Sequence, residues 1–284
     1  MTEFDCIEFD CIGFIKAHAC GNDFLIVEEA QVAGRDLGQL ARKLCSRTTG
    51  VGADGVEYLT QISDREGRIR LHNADGSYGE ISGNGTRCVA AWMAYQGGLR
   101  PGDEVRIETD AGVRVCQLES AAGTEFRFTT GMGSPAVERK TVKLDGGRVV
   151  EGAVIAIGNP QFVALAENEE FVVAGRAWQE TGEAICTHPD FPAQTNVEFV
   201  RRMAEDLIEI RIYERGVGPT SSSGTGTSAS AAMMMALENA PRRVRVLAPG
   251  GEQLVEWPSP SEELLLTGPA VIVARGQWLA GGQR

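Results

Sequence analysis

Ser82-Gly83-Asn84-Gly85-Thr86 returns, 141 residues further on (82 to 223), as Ser223-Gly224-Thr225-Gly226-Thr227. The offset is almost half of the 284-residue chain. A polar group precedes each copy at the same spacing (73 to 214): Asn73 in Asn73-Ala74-Asp75-Gly76-Ser77, and Glu214 in Tyr213-Glu214-Arg215-Gly216. A third pair, Gly21-Asn22-Asp23-Phe24 and Gly158-Asn159-Pro160-Gln161-Phe162, recurs with nearly the same offset (21 to 158). Three landmarks in one order and almost one register predict a duplicated architecture, with one domain over residues 12–130 and a second over 145–275. Residues 1–11 read as an N-terminal extension. It holds the direct repeat Glu3-Phe4-Asp5-Cys6-Ile7 and Glu8-Phe9-Asp10-Cys11-Ile12, to which no function attaches.

Working outward, period-2 segments dominate both halves: Phe24-Leu25-Ile26-Val27, Ile69-Arg70-Leu71-His72, Val105-Arg106-Ile107-Glu108, Val154-Ile155-Ala156-Ile157, Ile208-Glu209-Ile210-Arg211-Ile212 and Leu264-Leu265-Leu266. These predict strands, the first of the domain starting near Gly13. After each Ser-Gly-x-Gly-Thr motif comes a run rich in Ala and Met, residues 87–96 and 228–238, neither alternating nor one-sided and too long for an ordinary strand. Such a run predicts a helix buried on nearly all sides. Gly97-Gly98 ends the first, and Asn239 with Pro241 ends the second. The expected fold class is α/β (α+β): two pseudo-symmetric repeats, each a mostly antiparallel sheet wrapped around a central helix.

Composition bounds the function. With 43% hydrophobic residues the chain can bury a core, and 39 acidic against 27 basic side chains leave a net charge of −12, which argues against nucleic acid or an anionic membrane as partner. Seven cysteines scattered without a C-x-x-C pair, and only three histidines, predict neither a disulfide scaffold nor a metal site. An acidic N-terminus and the lack of any apolar run of about 18 residues predict a cytoplasmic protein. The 35 glycines fall at turns and in the short motifs above, where a positive φ or close backbone approach is needed.

A helix N-terminus presents unpaired N–H groups and roughly half an elementary charge, so it attracts a carboxylate. If the two Ser-Gly-x-Gly turns face one another across a cleft between the repeats, a small carboxylate-bearing molecule suits them. Two proton carriers on opposite sides of one carbon are what inversion at Cα requires, since one removes the proton and the other returns it.

The chain resembles the diaminopimelate epimerase family from about Phe14 to Val273. The blocks that carry the likeness are Lys16-Ala-His-Ala-Cys-Gly-Asn-Asp-Phe24, Gly50-Val-Gly-Ala-Asp54, Asn73-Ala-Asp-Gly-Ser77, Gly83-Asn-Gly-Thr-Arg-Cys88, Gly158-Asn-Pro160, Thr195-Asn-Val197, Tyr213-Glu-Arg-Gly216, Pro249-Gly-Gly251 and Thr267-Gly-Pro-Ala270. The resemblance implies two pseudo-symmetric α/β halves, the site between them, and cofactor-independent interconversion of LL- and meso-diaminopimelate in lysine and peptidoglycan-precursor synthesis. It implies that Asn22, Asn73, Asn159, Asn196, Glu214 and Arg215 hold the substrate's ammonium and carboxylate groups. The amides of Gly83-Asn84 and Gly224-Thr225 would cradle the α-carboxylate. Taken singly, each Asn also suits a local turn, and Cys88 reads as a small core residue. The expected partner is a small amino acid, with a homodimer left open as the assembly. No cofactor is implied, since Gly83-Asn-Gly85 lacks the length and the following Lys of a phosphate loop.

The chain departs from the family at the two proton-carrying positions. Where the resemblance implies cysteines, Ser82 and Ser223 stand. A thiol titrates near 8.5 and a helix N-terminus lowers it toward neutrality, whereas a serine hydroxyl is far less acidic and needs help. Gln161 stands where the family usually has His, and Pro219 where it usually has Glu. Several readings follow: an epimerase whose serines are activated by another base, a form in which both thiols were exchanged, a racemase or isomerase of another amino acid on the fold shared with proline racemases and phenazine-biosynthesis isomerases, and a catalytically impaired carboxylate-binding homologue.

Overall fold

A computed structural model describes residues 10–79 and 81–280. They divide into two compact units, one of residues 10–128 with 269–280, the other of residues 129–268. Each unit repeats the same element order.

In the first unit, strand Asn22–Glu28 runs parallel to Gly55–Gln61, and Glu66–Asn73 parallel to Glu104–Thr109. Parallel neighbours cannot be joined by a tight turn, so each pair needs a crossover. Helices α1 (Leu37–Cys45) and α2 (Gly83–Gly97) supply them. In the second unit, Asn159–Leu165 runs parallel to Asn196–Ala204 across α3 (Trp178–Cys186), and Leu207–Glu214 parallel to Arg243–Ala248 across α4 (Gly224–Leu237). The other pairings with a described register are antiparallel, among them Asp10–Ala19 with Asn22–Glu28 and Val149–Ile157 with Asn159–Leu165. In the first unit, strands Asp10–Ala19, Asn22–Glu28, Gly55–Gln61, Glu66–Asn73, Glu104–Thr109, Gly112–Ala122 and Glu125–Gly131 close with Leu265–Ala280 into an eight-stranded barrel around α2. Pseudo-symmetric sheets around a central helix are thus present, with two parallel pairs and one outer helix per unit added to the expected plan.

The central helices are buried as their composition predicts. In α2 residues 84–94 are buried, and in α4 Gly224 and residues 226–235. Each packs against its own sheet, Val89 and Met93 against Leu59, Ile69 and Ile107 in the first unit, Ala232 and Met234 against Val200, Ile210 and Val244 in the second. Gly98 ends α2 in the left-handed region (φ 58°), its N–H donating to Ala94 O. Asn239 takes the same conformation (φ 53°) past α4. The outer helices cover separate cores, Leu40 and Leu44 of α1 over Val56 and Tyr58, and Ile185 of α3 with Val197 and Phe199.

The first strand begins earlier than its expected start near Gly13, with Asp10 and Cys11 opposite Ala280 and Leu279. The second copy of the N-terminal repeat therefore enters the strand, while Glu3–Ile7 lies outside the described residues. Among the described residues no helix is long and apolar enough to cross a membrane.

Candidate functional site

Ser82 and Ser223 occupy equivalent positions. Each is an extended N-cap residue, with φ/ψ of −124°/121° at Ser82 and −144°/126° at Ser223. Ser82 Oγ accepts from Gly85 N (3.1 Å) and Ser223 Oγ from Gly226 N (3.1 Å). Serine is among the preferred residues at this position, so both hydroxyls hold a first helical turn in place. Ser82 is half-buried and Ser223 is 9% exposed.

Behind each turn lies a carboxyl group that the sequence did not single out. Glu57 and Glu198 are the third residues of strands Gly55–Gln61 and Asn196–Ala204, again 141 positions apart (57 to 198), and both are fully buried. Alternation turns them toward α2 and α4, whereas their neighbours Val56 and Val197 face the outer helices. Both carboxyls pack against the first turn of the helix, at glycines. A methyl group at Gly85 would collide with Glu57 Oε1, with Glu57 Cδ 3.0 Å and Ser82 Cβ 3.3 Å from the same point. At Gly226 it would lie 2.5 Å from Glu198 Oε1. Burial pushes the Glu57 carboxyl up to about 8, and among the described residues neither of its oxygens has a hydrogen-bond partner. Glu198 is raised well above the usual carboxylate range, by burial and then by the charge of Glu214. A paired signal existed in Val56-Glu57-Tyr58 and Val197-Glu198-Phe199.

The other sequence-derived candidates gather around the same turns, unit by unit. In the first, Asn22 donates to Asp54 Oδ2 (2.8 Å) and accepts from Asn84 Nδ2 (3.2 Å), joining the Gly-Asn loop to the start of α2. That loop is pinned by ions: Asp23 pairs with Lys16 (2.9 Å) and Arg47 (2.8 Å), and Arg47 also reaches Asp54 (2.7 Å). Burial pushes the Asp23 carboxyl up, but the bonds and charges of Arg47 and Lys16 outweigh it and hold the group below its usual range. Asn73 is exposed and donates within its own turn, to Ser77 Oγ (3.0 Å). Arg87, fully buried one turn into α2, donates to Asn84 Oδ1, so the Asn84 side chain is held from both ends. The flanking Gly83 keeps open space where a side chain would be.

In the second unit a neutral network replaces the ions. Gln161, fully buried, satisfies both its ends when Nε2 faces Glu198: it then donates to Oε1 (2.8 Å) and Oε2 (3.2 Å), while its oxygen accepts from Asn196 Nδ2 (3.2 Å) and Thr225 Oγ1 (3.0 Å). The Asn159 side chain lies 2.6 Å from that oxygen. Thr225 Oγ1 is 3.3 Å from Ser223 Oγ. An unbroken chain therefore runs from Glu198 through Gln161 and Thr225 to Ser223. Asn196 also accepts from Arg215 N (3.0 Å), which ties it to the Tyr213-Glu214-Arg215 turn. The Arg215 guanidinium is exposed and bonds Ala193 O (3.0 Å), and Glu214 accepts from Thr220 Oγ1 (3.2 Å). Pro219 sits in the short strand Gly218–Thr220 opposite Tyr213. Gly224 is buried beside Ser223. Among the described residues no group of three or more His, Cys, Asp and Glu could hold a metal ion.

Each turn thus sets a helix N-terminus, an end suited to a carboxylate, beside a hydroxyl and amide side chains, with a buried carboxyl behind. The family model described as diaminopimelate epimerase matches residues 14–137 and 153–273. The chain is 38% identical to the diaminopimelate epimerase of Desulforudis audaxviator, over 94% of this chain and 99% of that one, and 36% identical to that of Pelotomaculum thermopropionicum, over 93% and 98%. Among solved structures, the fold is shared with a phenazine biosynthesis protein of Bacillus anthracis (TM-score 0.69, 16% identity, 94% of this chain and 98% of that one). It is shared too with a hydroxyproline epimerase from Agrobacterium vitis (TM-score 0.66, 16% identity, 94% and 91%). Match length and identity together establish that this chain belongs to the diaminopimelate epimerase family.

Proposed function

We propose that this chain interconverts LL- and meso-diaminopimelate without a cofactor, as a step toward lysine and peptidoglycan precursors. Ser82 and Ser223 take the two proton-carrying positions. The observation that carries the reading is the pair of serine-capped helix N-termini at one offset of 141 residues. The amides of Gly83-Asn84 and Gly224-Thr225 bind the α-carboxylate, and Asn22, Asn73, Asn159, Asn196, Glu214 and Arg215 hold the ammonium and remaining carboxylate groups. One carrier takes the proton as the Cα–H bond breaks, and the electron pair delocalises into the carboxylate held by the amides. The other carrier delivers a proton to the opposite face.

Serine makes the first step hard. Each pKa unit is worth about 1.4 kcal/mol, and a helix dipole supplies at most about 2 kcal/mol, so it cannot bring a hydroxyl to neutrality. A second reading, a carboxylate-binding homologue with impaired chemistry, is favoured by one observation: both serine oxygens already accept from helix amides.

Incubation with LL-diaminopimelate in D2O, with deuterium at Cα followed by mass spectrometry, separates the two. Epimerase function predicts exchange by the unaltered chain, at least about a hundredfold faster in Ser82→Cys/Ser223→Cys, consistent with general acid–base catalysis contributing 10²–10⁴-fold. Binding by calorimetry with no exchange in either form supports the impaired homologue. Failure of both forms to bind diaminopimelate would overturn the substrate assignment.

A further inference from the structure

Two buried glutamates remain outside any role given so far. Glu57 and Glu198 share one offset with the serines, lie beneath corresponding glycines of the two helices, and are fully buried. Burial of an ionisable carboxyl is costly, and an apolar side chain would fill the same core-facing strand position without that cost. Among the described residues Glu57 has no hydrogen-bond partner on either oxygen. Its carboxyl is held against the turn whose cap is Ser82, at a place where only a glycine leaves room. Glu198 reaches Ser223 through Gln161 and Thr225. The arrangement recurs in both units although their other polar contacts differ, ionic around Asn22 and neutral around Asn159.

We infer that Glu57 and Glu198 are positioning residues, each setting the acidity of the group at the N-cap of its own helix, Glu57 for position 82 and Glu198 for position 223. The inference rests on the epimerase reading for its purpose but not for its test. A carboxyl behind each cap is charged or neutral according to its own proton, and that charge acts through the first helical turn on the proton-carrying group. At an effective dielectric of about 20, two charges a few ångströms apart interact by a few kcal/mol, enough to move a titration by about one unit or more. The titratable groups facing this pair are few. Cys88 of α2, its thiol raised chiefly by burial, feels Glu57, Arg87, Asp23 and Cys20. Glu214 faces Glu198.

The test uses a thiol as reporter in the full chain. Ser82→Cys and Ser223→Cys are made singly, and the pH dependence of iodoacetamide alkylation at each introduced thiol is read by peptide mass spectrometry. Glu57→Gln should collapse the two-step titration at position 82 into a single step and leave position 223 in place, because it removes the carboxyl whose ionisation is coupled to that of the thiol. Glu198→Gln should do the reverse. Ser82→Cys alone supplies a second measurement should a glutamine variant fail to fold, since interacting groups titrate in two steps. A single-step titration with Glu57 in place, or equal shifts at both positions from either glutamine variant, would overturn the inference. Loss of α-deuterium exchange bears on the epimerase reading alone, because alkylation needs no turnover.

Discussion

The turns at Ser82 and Ser223 share a backbone and differ in what lies behind it. Both are extended caps bonded to the third residue of the following helix, and both back onto a buried glutamate. Behind Ser82 the carboxyl of Glu57 has no hydrogen-bond partner among the described residues, and the Asn22 loop is locked by Lys16, Asp23, Arg47 and Asp54. Behind Ser223 the carboxyl is solvated by an amide, and Asn159, Asn196 and Thr225 meet at Gln161. Duplication therefore preserved the geometry that presents amides to an anion, while the electrostatics of the two sides diverged. On the proposed mechanism the two capping groups need not be chemically equal, because one removes a proton from the substrate that the other forms.

The largest expected effect breaks the comparison at Glu57. Its carboxyl titrates at about 8 in the folded chain against an ordinary 4.5, raised by burial. A raised folded value means that the folded form keeps its proton while the unfolded form loses it. Stability is then full below about pH 4.5, falls as pH rises, and levels off above about pH 8. At about 1.4 kcal/mol per unit the loss is on the order of 5 kcal/mol. Glu57→Gln should remove that slope, so urea unfolding at pH 5 and pH 8 should show the variant gaining on the parent by several kcal/mol at the higher pH. An unchanged difference between the two pH values would mean that Glu57 is solvated in the folded state.

A somewhat smaller effect sharpens the comparison at the glycines. Gly85→Ala and Gly226→Ala both push a methyl into a buried glutamate, and overpacking of this kind costs about 1–3 kcal/mol. The clash is tighter at Gly85, where Ser82 Cβ also stands at 3.3 Å. Gly85→Ala should therefore lower the thermal midpoint more than Gly226→Ala, and Gly85→Ala/Glu57→Ala should recover most of the loss. Equal losses without recovery would show that the carboxyl moves aside freely.

What the sequence made legible follows from periodicity and punctuation. The Ser-Gly-x-Gly turns, the buried helices after them and the half-length repeat were readable because glycine, serine and an all-apolar helix each leave a local mark. The outer helix α1 has a one-sided stripe, Leu37, Leu40, Ala41 and Leu44, with Asp36 as cap, but nine residues give few repeats against strong strand signals on either side. The parallel pairings across the outer helices, Asn22–Glu28 with Gly55–Gln61 and Asn159–Leu165 with Asn196–Ala204, depend on those crossovers and were hidden with them. Glu57 and Glu198 were missed for a different reason. A glutamate between apolar neighbours in a strand reads as the solvent-facing member of an alternation, yet these strands are covered on both faces, by a central and an outer helix. Gln161 is visible in the sequence only as the residue after Gly158-Asn159-Pro160, and its five-residue network exists only in three dimensions.

Gln161 supplies the third way to test the difference. Gln161→Ala strips Glu198 of its donor and leaves the Asn159, Asn196 and Thr225 side chains without their common partner. Leaving a buried polar group unsatisfied costs about 1–3 kcal/mol. The loss should appear in unfolding and, by hydrogen exchange, should be confined to the start of α4 and strand Asn196–Ala204, with α2 unaffected. Equal loosening of α2 would show that the two sides are more tightly linked than their separate networks indicate.

The smallest effect concerns the caps themselves. Ser82→Ala and Ser223→Ala each remove an acceptor for a first-turn amide, at a cost of about 1 kcal/mol. Hydrogen exchange at Gly85 N and Gly226 N should accelerate about fivefold in the respective variant, by the usual conversion of 1.4 kcal/mol to a factor of ten. Ser→Cys at either position should lose a similar amount, since sulfur is a weak acceptor. On the proposed mechanism a thiol there would weaken the helix end while improving the proton carrier, so stability and α-deuterium exchange should move in opposite directions. If the two instead rise together, the serines are not serving as caps, and the argument that their oxygens are already committed to helix amides fails.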